Sequence, residues 1–216
     1  MKIAVCFGLI LFTAGNLLAQ LTRTSQPVSL FNGKNLDGFT FCLNGQADPL
    51  KTWSVTNGLS DCTGQPAGYL RTTSRFSNYV LTVEWRFVKV APKADNTGIL
   101  LHIQTPDKVW PRCVQVQGKH TRQGDLFLMA GAESKEHQGK DANTPLPFHG
   151  ESAERPVGKW NVAKTICRGA TIESYLNGRW MNATTDCTVT NGFIGIQSEG
   201  GEIEIRKMEI APLNSP

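Results

Sequence analysis

Apolar and polar residues alternate along most of this chain with the two-residue period of β-strands, and helical periodicity is almost absent. Tyr79 to Phe87 reads Y-V-L-T-V-E-W-R-F, apolar at every odd position. Successive side chains in a strand point to opposite faces, so Tyr79, Leu81, Val83, Trp85 and Phe87 are expected to face a core. Ile99, Leu101 and Ile103 repeat the pattern in the next segment, and Val114 with Val116 in the one after. Asn177-Gly178, set between I-E-S-Y-L and R-W-M-N-A, joins two residues that tolerate positive φ and is the strongest hairpin signal in the chain. Two further strands, 193–198 and 202–210, close it. Short strands separated by Gly and Asn turns predict an all-β, single-domain jelly-roll sandwich. The stretch from Gly131 to Gly158, carrying Pro145, Pro147 and Pro156, shows no clear strand and is expected to lie as a long loop over one rim.

The same parity turns large polar residues away from the core. Glu84 and Arg86 in the first of these strands, His102 and Gln104 in the second, and Gln115 and Gln117 in the third are all expected on a non-core face. Such a set suits a sugar-binding face better than a plain solvated one, since it offers paired donors and acceptors. Trp110, in the turn K-V-W-P-R, could supply a flat apolar platform or pack locally; pattern leaves both open. Glu202 and Glu204 share parity, but Arg206 follows them, and they read better as a charged strand edge that resists pairing. The chain has no nucleophile elbow, no phosphate-binding Gly-rich loop and no H-E-x-x-H.

The N-terminus adds a compartment. Lys2, the apolar run Ile3 to Phe12 and Leu17-Leu18-Ala19 have the pattern of a secretory signal peptide over residues 1–19. The run is about half the ~20 residues a membrane span needs. Export to the periplasm or beyond is therefore expected, with 20–216 as the mature domain and no membrane span in it. The net charge of +4 is mild and its Lys and Arg are scattered, so nucleic acid is not a favoured partner. Of six cysteines, five follow the leader. In an oxidising compartment this suggests two bridges and a free thiol, with Cys42–Cys62 and Cys167–Cys187 favoured by nearness in sequence and Cys113 left over.

Several segments, taken in order, resemble one family. They are L-F-N-G-K-N-L-D-G-F (30–39), W-S-V-T-N-G (53–58), L-T-V-E-W-R (81–86), N-T-G-I-L-L (96–101) and W-P-R-C-V-Q-V-Q (110–117). Q-G-D-L-F-L (123–128), V-G-K-W-N (157–161), Y-L-N-G (175–178), G-F-I-G-I-Q-S-E-G (192–200) and I-E-I-R-K-M-E-I (203–210) continue the likeness. The family is that of the 3-keto-disaccharide hydrolases, a laminin-G-like or concanavalin-like jelly roll. The resemblance implies cleavage of sugars already oxidised at C3, where the ketone acidifies the C2 hydrogen and a base can start an elimination. It implies a carbohydrate partner, donors for the enolate oxygen, and leaves open a divalent cation to polarise the ketone. Carried over by position, Glu84 is the first acid/base candidate, with His102 beside it by parity. Arg112, His120 and Arg206 are candidate donors, His120 also counting among the catalytic set, and Glu199 in Q-S-E-G is expected to orient substrate. Arg86, Gln104, Trp110, Gln115 and Gln117 complete the expected substrate contacts.

One departure matters. Where the resemblance leads one to expect I-E-x-Q in the third strand, this chain has V-Q-V-Q, with Gln115 at the glutamate's position. An amide bonds a sugar but neither takes up a proton nor carries charge. Three readings follow: an enzyme on 3-keto-glycosides, a non-catalytic carbohydrate-binding module on the same fold, and a structural or adhesive sandwich.

Overall fold

A computed structural model describes residues 26–89, 96–141 and 143–213; the leader expected at 1–19 lies outside them. Among the described residues fourteen strands form two antiparallel sheets packed face to face, a jelly-roll sandwich. The larger sheet runs β12 (Arg179–Thr184), β11 (Thr171–Leu176), β10 (Asn161–Arg168), β6 (Tyr79–Phe87), β14 (Ile203–Pro212), β4 (Leu59–Cys62) and β3 (Trp53–Thr56), with β1 (Val28–Ser29) also paired to β14. The smaller runs β2 (Phe39–Leu43), β5 (Gly68–Thr72), β13 (Phe193–Ser198), β7 (Gly98–Ile103), β8 (Cys113–Gln117) and β9 (Leu126–Met129). Among the described residues there is no α-helix, and no helix is long and apolar enough to cross a membrane.

The period-2 reading of β6 holds along its whole length: Tyr79, Leu81, Val83, Trp85 and Phe87 are buried, and the residues between them are not. They meet Leu101, Val114, Val116, Ile194 and Ile196 of the facing sheet. Each such side chain contributes about 1.5–3 kcal/mol on leaving water. The Asn177-Gly178 turn has φ of 51° and 85°, the left-handed pair that matches the twist of a two-residue hairpin.

Parity fails in β7. His102 adopts φ 57°, and the β7–β13 register slips there, so that Leu101 and His102 together oppose Ile194. The extra residue of this bulge reverses the alternation beyond it. His102 thus enters the core, its ring edge-on to Tyr79 at 5.6 Å and its Nδ1 3.1 Å from the Val189 carbonyl oxygen. Ile103, expected in the core, turns to the outer face and packs with Tyr69, Leu100 and Cys113.

Glu204 does not sit on a strand edge, because β14 is paired on both sides; it binds Arg86 at 2.6 Å. The described residues of the 131–158 segment form a side wall rather than a cover. Leu146 bridges to Leu126 of β9, His149 N–H donates to the Met181 oxygen of β12, and the Glu136 carboxylate takes bonds from Thr184 and Thr185. It closes the gap between the edge strands of the two sheets.

The expected disulfides are not formed among the described residues: Cys42, Cys62, Cys113, Cys167 and Cys187 are all free thiols. Cys42 packs with the outer-face cluster of the small sheet, whereas Cys62 belongs to the inter-sheet core, so nearness in sequence misleads. Burial pushes the Cys62 and Cys187 thiols up to about 11 and Cys167 up to about 12. Since the thiolate is the reactive form, alkylation of the native chain followed by peptide mapping is expected to label Cys42, the one not buried, and to spare the other four until the protein is unfolded.

Candidate functional site

The outer face of the smaller sheet carries a cluster of three glutamines. Gln115 and Gln117 extend from β8 and Gln197 from β13, with β7 running between them, and all three are buried. Gln115 Nε2 donates to Gln117 Oε1 at 3.2 Å and to Gln197 Oε1 at 3.1 Å. One strand, β7, separates Gln115 from Gln197, so the contact needs an open track across it, and Gly98 provides that track. A Cβ at Gly98 would lie 2.4 Å from Gln115 Nε2 and 3.0 Å from its Cγ and Cδ. Gly98→Ala is therefore expected to swing the Gln115 amide out of the cluster. Losing its two hydrogen bonds should cost about 1–3 kcal/mol, read by urea denaturation.

The backbone fixes which way each amide points. Gln117 Oε1 also accepts from Gly118 N–H at 3.0 Å and Lys119 N–H at 3.1 Å, so this atom must be the oxygen. The Gln115 atom facing it must then be a nitrogen, and the Gln197 atom facing that nitrogen must be an oxygen. The remaining amide ends, Gln115 Oε1 and the Nε2 atoms of Gln117 and Gln197, face away from this internal network.

A charged rim stands beside the cluster. Glu199 lies two residues beyond Gln197 with the same parity, and Asn96 Nδ2 donates to its carboxylate at 2.7 Å. Burial raises the Glu199 carboxyl above its ordinary range, and the nearby Lys119 ammonium opposes part of that rise. His120 follows Lys119, with Nδ1 2.6 Å from Glu154 Oε1; the other Glu154 oxygen accepts from Thr121 N–H at 2.7 Å. Glu154 is supplied by the side wall. Together these groups offer amide donors and acceptors for hydroxyls, a carboxylate held toward neutrality, a cation, and an imidazole anchored through one nitrogen.

The expected residues do not all converge here. Gln115, Gln117, Glu199 and His120 lie in the cluster or on its rim. Glu84, Arg86 and Arg206 stand on the outer face of the other sheet, where Arg206 Nε binds Glu84 at 2.7 Å and both guanidiniums lie over the Trp160 ring, at 4.5 and 4.6 Å. His102 is in the core, and burial lowers its pKa to about 4. Glu84 and Gln115 thus lie on the outer faces of different sheets, with His102 in the core between them. Gln104, Trp110 and Arg112 gather at the opposite end of β7 and β8. There Gln104 Nε2 donates to the His102 and Asn191 carbonyls, and Arg112 donates to Gly131 O and Thr188 Oγ1. Trp110 is exposed there. Sequence reasoning missed Gln197, Asn96, Lys119, Glu154 and Gly98; the parity of Gln197 with Glu199 in I-Q-S-E-G was the available signal.

A divalent cation does not fit the glutamine cluster. Gln117 Oε1 already accepts three N–H groups and Gln197 Oε1 accepts one, and no carboxylate belongs to the cluster itself. Among the described residues no group of three or more His, Cys, Asp or Glu is placed to hold a metal.

With this geometry in place, comparison with known proteins is informative. Residues 26–211 match the sequence model of a family described as the 3-keto-alpha-glucoside-1,2-lyase-like domain. The chain belongs to that family. Solved structures similar to it include a candidate glycosyl hydrolase from Parabacteroides distasonis, with 20% identity, a TM-score of 0.65 and 87% of this chain and 94% of that one covered. The carbohydrate-binding module CBM66 from Bacillus subtilis gives 13%, 0.58, and 81% and 95%. A Bacillus licheniformis beta-glucanase gives 12%, 0.59, and 89% and 100%. At these identities the likeness is one of fold. No curated protein sequence matches the chain. The family places this sandwich among the carbohydrate-active, glycosyl hydrolase-like or sugar-binding jelly rolls.

Proposed function

We propose that this is an exported enzyme that cleaves 3-keto-glycosides on the outer face of its smaller sheet, by elimination followed by hydration. The observation that carries the reading is Glu199, a carboxylate raised by burial at the rim of a three-glutamine cluster and held by Asn96. A ketone at C3 acidifies the C2 hydrogen. Glu199 takes that proton, and the electron pair moves toward the C3 oxygen, where amide N–H groups of Gln117 and Gln197 and the Lys119 ammonium stabilise the negative charge. Collapse of the enolate forms the C1–C2 double bond and breaks the C1–O bond, and the departing oxygen takes a proton. The His120–Glu154 pair is suited to give it, because Glu154 holds Nδ1 and leaves Nε2 to exchange protons. Water then adds its oxygen to C1 and a proton returns to C2, so the net change is hydrolysis.

A binding-module reading is favoured by one observation. Gln115 is neutral and spends both N–H groups inside the cluster, so a carboxylate expected from the family is replaced by a structural amide. Incubating the mature chain with a 3-keto-glucoside carrying a chromogenic leaving group separates the two. Release supports the enzyme; calorimetric binding of the same sugar without release sinks it in favour of the module. The leader pattern supports export, which N-terminal sequencing of the mature protein tests directly.

A further inference from the structure

We infer that the Gln115 amide stands in the place of a cation, so that the sugar site of this chain is independent of divalent ions, and that the single change Gln115→Glu converts it into a divalent-cation site. The backbone N–H groups of Gly118 and Lys119 force Gln117 Oε1 toward Gln115, and the Gln115 nitrogen in turn faces Gln197 Oε1. One side-chain atom therefore meets two carbonyl oxygens, at 3.2 and 3.1 Å. As an amide nitrogen it satisfies both with its two protons and no net charge. As a carboxylate oxygen it would face both with nothing to donate, in a buried setting where repulsion between oxygens is poorly screened. The two separations from this atom, 3.2 and 3.1 Å, match two ligand edges of an octahedral shell of radius about 2.2 Å, the range between small and large divalent ions. Such a cluster must take up either a cation or a proton. Gln115 removes that requirement, and the absence of a Cβ at Gly98 leaves the room over β7 that a glutamine or an isosteric glutamate needs to reach this place.

The test uses the full mature chain after chelation, as native protein, Gln115→Glu and Gln115→Leu, titrated with calcium and with manganese by calorimetry. Melting temperatures are measured in parallel with and without ion. The native chain is expected to show no binding heat and no change in Tm. Gln115→Glu is expected to bind ion with a dissociation constant on the order of 10⁻⁴ M and to gain about 5–10 °C in Tm at roughly 10 mM ion. Without ion its Tm should be below that of the native chain at pH 8 and recover toward pH 5, as the carboxyl takes a proton. Gln115→Leu should be destabilised without recovery by either route. Ion binding by the native chain that Gln115→Leu abolishes would overturn the inference, as would a Gln115→Glu variant as stable as native protein and indifferent to both ion and pH. The inference starts from the sugar site proposed above, but neither readout uses a sugar. A chain that fails to cleave 3-keto-glycosides would leave this result intact, and the converse holds as well.

Discussion

Glu199→Gln is expected to lower kcat/KM on a 3-keto-glycoside by about 10²–10⁴-fold, the usual contribution of a positioned general base. Sugar affinity should change little, because the amide keeps an oxygen that Asn96 can still bond. The pH profile carries a second, independent signature. A base must be ionised to act, so activity is present above its pKa and lost as pH falls through it. Burial raises the Glu199 carboxyl above 4.5, so the acid limb of the native profile should stand above that value and vanish in the variant. The limb should appear in kcat as well as in kcat/KM, since an ionisation that serves binding alone does not limit turnover at saturation. The competing base is His120, and His120→Asn and Glu154→Gln distinguish it. If those substitutions move the acid limb while Glu199→Gln only scales the rate, the His120–Glu154 pair is the base and Glu199 a substrate contact. If none of the three changes a measurable rate, the catalytic reading fails.

Much of this sandwich was legible in the sequence because alternation is a property of single strands. Whether Leu81 or Thr82 faces inward depends on the two-residue period of β6 and on the preference of Leu for the core, and nothing distant intervenes. Alternation cannot say which sheet a strand joins. Glu84 and Gln115 both point away from the core as expected, yet β6 belongs to one sheet and β8 to the other, so the two side chains look out from opposite sides of the molecule. His102 failed for another reason. Its bulge exists because one residue of β7 takes φ 57° against a register slip on β13, a choice made between strands some ninety residues apart. Gln197 was overlooked although its parity was readable; its meaning comes only from Gln115 reaching across Gly98. The site is therefore a product of pairing, whereas the core is largely a product of pattern.

His102 also sets the second large expected effect. The native chain should lose stability as pH falls from about 6.5 to 4, and His102→Asn should remove that part of the loss. Burial is the main cause of the low pKa of His102, and the Arg75 guanidinium adds to it; the bond with the Val189 carbonyl works the other way. The unfolded chain binds a proton on this residue near 6.5, while the folded chain does so only at about 4. Between those values the unfolded state holds more protons, so acid favours it. The stabilisation is fully present above pH 6.5 and is lost progressively down to about pH 4. A difference of this size corresponds to about 3 kcal/mol, or roughly 6–12 °C in Tm for a domain of this length. Asp61 and Glu199, both raised by burial, act in the opposite sense and become less unfavourable as they protonate. The contribution of His102 is therefore the difference in pH slope between native protein and variant, not the slope of either alone. Asn suits the comparison because it tolerates the left-handed backbone at this position and does not titrate. The variant should be less stable at pH 7, having lost the edge-on contact with Tyr79, yet flatter with pH. Equal slopes in the two proteins would mean that His102 protonates without unfolding the chain, and that its ring is not held in the core as found here.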